Sequence, residues 1–138
     1  MKARHFRDLQ VWQRSMGLAR DVFRITMQFP KSQTFGLASQ MQRVAVSIPS
    51  NIAEGHGRLS NRSFALFLSQ ARGSLNELET QVELARQMGF AEATTSCSLL
   101  AEIGEIARML NALLTAVRQT DRSRVPEAAR EERLEKSV

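Results

Sequence analysis

The sequence predicts an all-α protein, an antiparallel up-down-up-down four-helix bundle. Apolar residues recur at alternating steps of three and four along four long segments, as they do on one face of a helix. Only three prolines and seven glycines interrupt the 138 residues, and no long stretch alternates apolar with polar residues as a strand does. The chain is long enough for one domain with a hydrophobic core, and its 43% of apolar residues can fill that core. Long amphipathic helices joined by short connections favour a bundle.

Proline and glycine bound the first two predicted helices. The first runs from 8 to 29 and ends there because the residue before Pro30 disfavours the helical region. The second runs from 34 to 54 and contains Pro49, so a kink is expected near Ala45, whose carbonyl loses its donor. Gly55-His56-Gly57 then stops the helix and offers a glycine for a left-handed cap. The predicted core positions are Leu9, Trp12, Met16, Ala19, Phe23 and Thr26 in the first helix, and Leu37, Met41, Val44, Ile48 and Ile52 in the second.

The third and fourth predicted helices carry the most regular apolar spacing. The third follows Ser60, a good N-cap, and ends at Met88-Gly89, and its seam keeps a heptad pattern throughout. The fourth starts between 93 and 96 and runs to about 120. The predicted core positions are Phe64, Leu68, Ala71, Leu75, Leu78, Val82 and Ala85, followed by Leu99, Ile103, Ile106, Leu110, Leu113 and Val117.

The chain is predicted to hold one domain and a tail. Residues 1–120 form the bundle domain. Residues 121–138 have mixed charge, one proline and few apolar residues, a composition that favours a disordered tail over a packed one.

The apolar stripes of three predicted helices are wider than a monomeric bundle needs. Surplus apolar surface of this kind predicts a symmetric homo-oligomer. The alternative is a set of scattered surface apolar residues, which are common in monomers. The surplus positions are Val11, Val22 and Ile25, then Ala38, Ala45, Val46 and Ala53, and finally Leu100, Ala107 and Leu114.

Positive charge is concentrated in the first two helices. The formal net charge is +5 overall. Residues 1–59 hold nine Lys and Arg against three Asp and Glu, whereas residues 60–120 hold five against six. Sixteen of the 19 basic residues are arginine, the better side chain for bidentate phosphate contact. This excess fits either a nucleic-acid footprint or an ordinary solvated surface.

No pattern in the sequence indicates catalysis, a metal site or a cofactor site. The two histidines, His5 and His56, lie in a leader and a turn, and no Glu-x-x-His pair is present. Cys97 is the single cysteine, has no histidine near it in sequence, and fits a packing or surface role in a reducing cytoplasm. We expect Glu77, Glu79 and Glu83 to form a solvated or ion-paired face. No signal peptide is expected, and no apolar run approaches the roughly 18–20 residues of a membrane span.

A polar row runs down the second helix. Arg43, Ser47, Asn51, Glu54 and Arg58 recur at steps of four, four, three and four, so they share one helical face. One interpretation is a network between helices or subunits, in which Arg43 pairs with Glu54 or a third-helix glutamate and Asn51 serves backbone groups freed by Pro49. The other is a surface that contacts RNA or DNA phosphates. The two are compatible if the row lies at the mouth of an oligomeric ring.

The motifs of the chain resemble those of the 23S rRNA intervening-sequence, or S23-type, four-helix bundle family. The resemblance covers roughly residues 5–118, and two positions depart from the family pattern: Val44, where a basic residue is usual, and Arg62-Ser63, where a Lys-Glu pair is usual. The matching segments are Phe6-Arg7-Asp8-Leu9-Gln10-Val11-Trp12-Gln13, Phe29-Pro30, Phe35-Gly36-Leu37, Gln40-Met41-Gln42-Arg43, Ser47-Ile48-Pro49-Ser50-Asn51-Ile52-Ala53-Glu54-Gly55, Arg58-x-Ser60, Phe64-x-x-Phe67-Leu68, Ala71-Arg72-Gly73-Ser74-Leu75-Asn76-Glu77-Leu78-Glu79-Thr80-Gln81 and Leu84-Ala85.

The resemblance implies an antiparallel bundle that assembles as a ring, a homopentamer, and it implies little about activity. Some relatives look like the accessory variability protein of diversity-generating retroelements, a basic pentamer that binds nucleic acid and a reverse transcriptase.

The resulting hypothesis is a non-enzymatic oligomer that binds RNA, DNA or a nucleoprotein partner. The alternative is a scaffold ring that docks a protein without nucleic-acid affinity and is sensitive to changes such as Ile48→Asp. A bundle enzyme with a metal in its core is a third class. The candidate phosphate contacts are Arg20, Arg24, Arg43, Arg58 and Arg62.

Overall fold

Four long helices form the described part of the chain, residues 4–123 of a computed structural model, and no strand occurs within it. The all-α prediction is therefore confirmed. Two short 3-10 helices, Phe6–Asp8 and Lys31–Gln33, precede the first and second long helices. The long helices are α1 (Gln10–Thr26), α2 (Leu37–His56), α3 (Asn61–Gln87) and α4 (Ala93–Ser123).

The helix ends differ from the predicted ones by one to three residues. Helix α1 is shorter than predicted at both ends, because the chain forms a 3-10 turn over Phe6–Asp8 and the α-helix ends at Thr26. Helix α4 continues three residues beyond the predicted limit of 120. Residues 124–138 of the predicted disordered tail lie outside the described residues, so that prediction stands as it was.

Each long helix packs against two neighbours, in the cyclic order α1, α2, α3, α4 and back to α1. One continuous apolar core lies between them. Ser69 on α3 accepts a hydrogen bond from Arg118 on α4 at 3.5 Å, while three residues further along α3 Arg72 donates to Asn111 at 3.2 Å. Arg14 on α1 joins Glu102 on α4 through two hydrogen bonds of 2.8 and 3.0 Å. Hydrogen bonding and attraction to Glu102 raise the pKa of Arg14 above its ordinary value.

The predicted seam of α3 is confirmed at all seven positions, which are fully buried. The α4 seam is confirmed except for Leu113, which is half-buried, and the α2 seam except for Leu37 and Val44, which are half-buried as well.

The predicted core face of α1 is wrong, because the face that is buried is shifted by about one residue around the helix. The buried face includes Val11, Ser15, Leu18, Val22 and Ile25. The buried Ser15 hydroxyl donates to the carbonyl of Val11 at 2.6 Å, so a polar residue lies in the seam without an unmet hydrogen bond. Of the positions predicted for the core, only Ala19 and Thr26 are buried; Trp12, Met16 and Leu9 are partly exposed, and Phe23 is exposed.

The surplus apolar surface is consequently smaller than predicted and lies only partly at the predicted positions. The monomer's own core takes up Val11, Val22, Ile25, Ala38 and Ala45. Val46 remains exposed and Ala53 half-exposed. Together with the misassigned face of α1, these residues form the apolar groove described below.

Glycines end α2 and α3 for different reasons. The predicted left-handed cap after α2 is wrong, because Gly57 caps that helix with a φ of −77°. The left-handed glycine is Gly89 after α3, with a φ of +74°, where the Phe90 amide donates back to the Ala85 carbonyl at 2.9 Å. Gly55 serves packing instead, since a Cβ there would lie 2.7 Å from the Cβ of Phe67.

Ser60 caps the N-terminus of α3 as predicted: its hydroxyl accepts a hydrogen bond from the Ser63 amide at 3.1 Å. Ser60→Ala removes an acceptor from the first turn, so we expect the free energy of unfolding to fall by about 1 kcal/mol. Urea unfolding followed by circular dichroism measures this change. Ser60→Asp, which restores an acceptor, should recover the loss, and equal stabilities of the alanine variant and the wild type would contradict the assignment.

Candidate nucleic-acid interface

An open apolar groove runs between α1 and α2. It encloses about 580 Å³ and continues into a shallower cavity of about 370 Å³ beside the N-terminal 3-10 helix. Phe6, Ser50 and Ala53 line both cavities, so the two form one surface. The other apolar walls of the groove are Trp12, Met16, Ala19, Phe23, Val46 and Pro49.

Three of the five candidate arginines border this groove. Arg20 and Arg24 line its α1 side, and Arg58 lines the shallower cavity at the end of α2. Arg43 and Arg62 line neither cavity. Helix α1 brings Arg20 and Arg24 together because they are four residues apart on one face.

Ion pairing divides the candidate arginines into two groups. Arg24 pairs with Asp21 at 3.1 Å and Arg58 with Glu54 at 2.7 Å, each within one helix. Arg20, Arg43 and Arg62 form no ion pair with any of the residues that the structure describes. Among the five candidates, these three have no counter-charge within the part of the chain that the structure describes, which makes them the strongest candidates for phosphate contact.

Arg58 is the most fixed of the five. Its guanidinium lies 4.7 Å from the centre of the Phe67 ring on α3, in addition to its pair with Glu54. A cation over an aromatic face is attracted by the electron density of the ring. Arg58 therefore ties the end of α2 to α3 and keeps less freedom to meet a phosphate.

Within one copy of the chain, the polar row of α2 does not form the predicted network between helices, whereas the alternative network between subunits stays a prediction. Ser47 donates to the Val44 carbonyl at 2.6 Å, and Asn51 donates to the Ser47 carbonyl at 2.8 Å, both within α2. Asn51 thus donates to the Ser47 carbonyl and not to the Ala45 carbonyl, which receives no hydrogen bond from Pro49. The predicted pairing of Arg43 with Glu54 is also wrong, because Glu54 pairs with Arg58.

The α3 glutamates form the predicted exposed, partly ion-paired face. Arg86 and Gln87 hydrogen-bond the Glu83 carboxylate and lower its pKa to about 2. Glu77 and Glu79 are exposed. Within residues 4–120, whose side chains the structure describes, no three His, Cys, Asp or Glu side chains lie close enough to hold a metal ion.

Two other features of the sequence have plain structural settings. Cys97 is exposed and free near the start of α4. None of the described helices is both long and apolar enough to cross a membrane.

The groove is the part of the site that the sequence did not reveal. Its walls were assigned to the core because Trp12, Met16 and Phe23 also recur at helical spacing. A second, overlapping pattern, Val11, Leu18, Val22 and Ile25 at steps of seven, four and three, was the signal for the true core face.

The fold and this surface define a class: an all-α chain of four packed helices with an arginine-bordered apolar groove between its first two. The chain belongs to the 23S rRNA-intervening sequence protein family, whose sequence profile matches residues 7–112.

A solved structure supports the same fold. A protein of unknown function from the S23 ribosomal protein family of Bacteroides thetaiotaomicron superposes with a TM-score of 0.71 at 24% sequence identity. The match covers 76% of this chain and 95% of the other. No protein of curated function matches the sequence.

Proposed function

We propose that this protein is a non-enzymatic, oligomeric four-helix bundle that binds RNA or DNA, or a nucleoprotein partner, through the basic surface of its first half. The observation that carries the proposal is that two exposed arginines outside the groove, Arg43 and Arg62, form no ion pair with any of the described residues. Phosphate groups would supply the counter-charge that the described chain does not. Such contacts release counterions from the nucleic acid and give affinity that falls steeply with salt.

The distribution of charge supports this choice of surface. Residues 1–59 carry six more basic than acidic residues, whereas residues 60–120 carry one more acidic than basic residue. A polyanion would therefore approach the molecule on the side of α1 and α2, and Arg62 lies at the start of α3, directly after the connection from α2. Arginine dominates that half, and its planar guanidinium can hold a phosphate through two hydrogen bonds.

In the assembly that we propose, each subunit is an antiparallel bundle and five subunits form a ring. We place this homopentamer in the cytoplasm, without a cofactor. The Ser69–Arg118 and Arg72–Asn111 contacts support the antiparallel arrangement, since positions further along α3 meet earlier positions of α4. The half-exposed walls of the groove support an oligomer. The family resemblance supports the ring and the number of subunits.

Removal of two unpaired arginines should weaken nucleic-acid binding in a salt-dependent way. For Arg43→Gln with Arg62→Gln, we expect at least about a tenfold loss of affinity for a structured RNA near 50 mM salt. The plot of log affinity against log salt concentration should become less steep by about two, one for each lost phosphate contact. Fluorescence anisotropy of a labelled RNA or DNA duplex over a salt series measures both quantities.

The matched control is Arg86→Gln with Arg108→Gln. It removes the same formal charge from two arginines that already pair with Glu83 and Glu105. We expect its salt dependence to stay close to that of the wild type. Equal losses in the two variants, or no wild-type binding near 50 mM salt, would contradict phosphate contact by the unpaired arginines.

A second candidate function is a scaffold ring that docks a protein partner, such as a reverse transcriptase, without affinity for nucleic acid. The apolar groove between α1 and α2 favours it, because exposed apolar grooves are typical of protein interfaces. A stable oligomer whose mass is unchanged by RNA and DNA at low salt would favour this candidate over the first.

A further inference from the structure

We propose that the groove between α1 and α2 of one copy receives the outward face of α3 of a second copy. That face is the stripe Leu66, Gly73, Glu77 and Leu84. The two surfaces differ, so the contact is head-to-tail. The proposal rests on the oligomeric part of the proposed function and names the surfaces that form it; it does not depend on nucleic-acid binding.

The groove leaves large apolar side chains in water. Phe23 is 41% exposed and Val46 46% exposed. Met27, which directly follows the end of α1 and lies four residues after Phe23, is 81% exposed. Contiguous apolar surface of this kind marks an interaction site in a soluble protein.

The outward face of α3 also exposes apolar side chains. Leu66 is 58% exposed and Leu84 47% exposed, although the seven inward positions of the same helix are already filled. Leu66, Gly73, Glu77 and Leu84 follow one another at steps of seven, four and seven, so they share one side of the helix. These two leucines are therefore accessible to a partner outside their own bundle.

Gly73 provides an independent observation. A glycine inside a helix is less favourable than an alanine, yet a Cβ at position 73 would meet nothing within 4 Å. Its φ is not positive, so no backbone conformation calls for glycine there. A glycine at this position would let a second chain approach the helix axis closely, and Gly104 on α4, whose surroundings in the monomer are equally open, provides the comparison in the test below.

Charge selects α3 as the occupant. Glu77 lies between the two leucines and has no ion-pair partner among the described residues, and neither does Arg20 at the edge of the groove. Two grooves facing each other would bring Arg20 and Arg24 of one copy against the same residues of the other, which like-charge repulsion opposes. A groove that receives α3 instead joins Arg20 with Glu77. Because such a contact is heterologous, repeated copies close into a ring when the rotation permits.

The first test blocks the approach of α3 without disturbing the monomer. Gly73→Gln places a flexible side chain where the monomer has open space. We expect its dissociation constant for assembly to rise at least about tenfold, with unchanged helicity in dilute solution. Gly104→Gln on α4 is the matched control, because a Cβ there also meets nothing within 4 Å. Light scattering over a dilution series measures the mass of each variant.

The second test reverses the proposed charge pair. Arg20→Glu and Glu77→Arg should each weaken assembly, and the double variant should restore it. No restoration in the double variant, an unchanged mass for Gly73→Gln, or a wild type that is monomeric at all concentrations would overturn the proposal. The last result would leave the groove to a different occupant.

Anisotropy with the labelled RNA, run on the same samples, separates this proposal from the proposed function. Assembly that responds as described without any RNA affinity supports the α3 contact and contradicts the nucleic-acid role. RNA affinity with a mass that does not respond to these substitutions contradicts the α3 contact alone.

Discussion

Ile48→Asp is expected to abolish folding of the protein. Ile48 is completely buried, within the core that all four helices share. The substitution removes an apolar side chain from that core and places a carboxylate where water cannot reach it. We expect a loss of at least about 4 kcal/mol in the free energy of unfolding, a large share of the total stability of a typical domain. Far-UV circular dichroism and urea unfolding of the purified variant measure it.

Val46→Asp is the matched control for this prediction. Val46 lies two residues earlier on the same helix, on the exposed side that lines the groove. We expect it to fold with near-native helicity and to lose assembly instead. If Ile48→Asp folded and merely dissociated, the placement of Ile48 in the monomer core would be wrong.

The contrast corrects the sequence-based use of Ile48→Asp as a test of assembly. From spacing alone, Ile48 and Val46 both belonged to a wide apolar stripe. The structure assigns Ile48 to the monomer core and Val46 to its surface, so only the second position reports on contacts between copies.

Gly55→Ala is expected to destabilise the protein by about 1–3 kcal/mol, although alanine favours a helix by about 1 kcal/mol over glycine. The added Cβ would lie 2.7 Å from the Cβ of Phe67 and 3.0 Å from Cδ1 of Phe64. Because the Cβ of Phe67 is fixed to the α3 backbone, the clash can be relieved only if α2 and α3 move apart. Thermal and urea unfolding of the variant measure the loss.

Gly104→Ala should instead increase the free energy of unfolding. Nothing lies within 4 Å of a Cβ at that position on α4, so only the gain in helix propensity remains, up to about 1 kcal/mol. Equal effects at positions 55 and 104 would contradict close packing of α2 against α3 at Gly55.

Periodicity predicted the helices well because burial of one face governs helical sequences. The α3 seam from Phe64 to Ala85 was predicted completely, since each of its seven positions is apolar. The seam of α1 was missed because it contains Ser15, whose hydroxyl bonds to the Val11 carbonyl. A side chain that satisfies its own hydrogen bond can be buried at little cost, and a hydropathy pattern does not register that.

The groove could not be predicted because it depends on how two helices pack together. Its walls come from α1, α2 and the 3-10 helix that contains Phe6, at positions up to 52 residues apart. Gly55 is a similar case: the sequence suggested a helix stop, and the structure shows that a neighbouring helix requires its small size.

The polar row of α2 shows a different limit of sequence reasoning. Arg43, Ser47, Asn51 and Glu54 lie within α2 as their spacing predicted, whereas Arg58 follows the end of the helix at His56. Spacing could not distinguish bonds within a helix from bonds between helices. In the structure, Ser47, Asn51 and Glu54 are engaged by their own helix and its C-terminal turn. Arg43 is left unpaired among the described residues, and this residue carries the functional interpretation of the row.

The most direct test of the account is the solution mass of the full chain, measured by light scattering with and without a structured RNA, near 50 mM and near 200 mM salt. The account predicts an oligomer in both salts, with a mass that rises with RNA at the lower salt and returns to the protein-only value at the higher salt. A monomer in both salts, or an oligomer whose mass never changes with RNA, would contradict it.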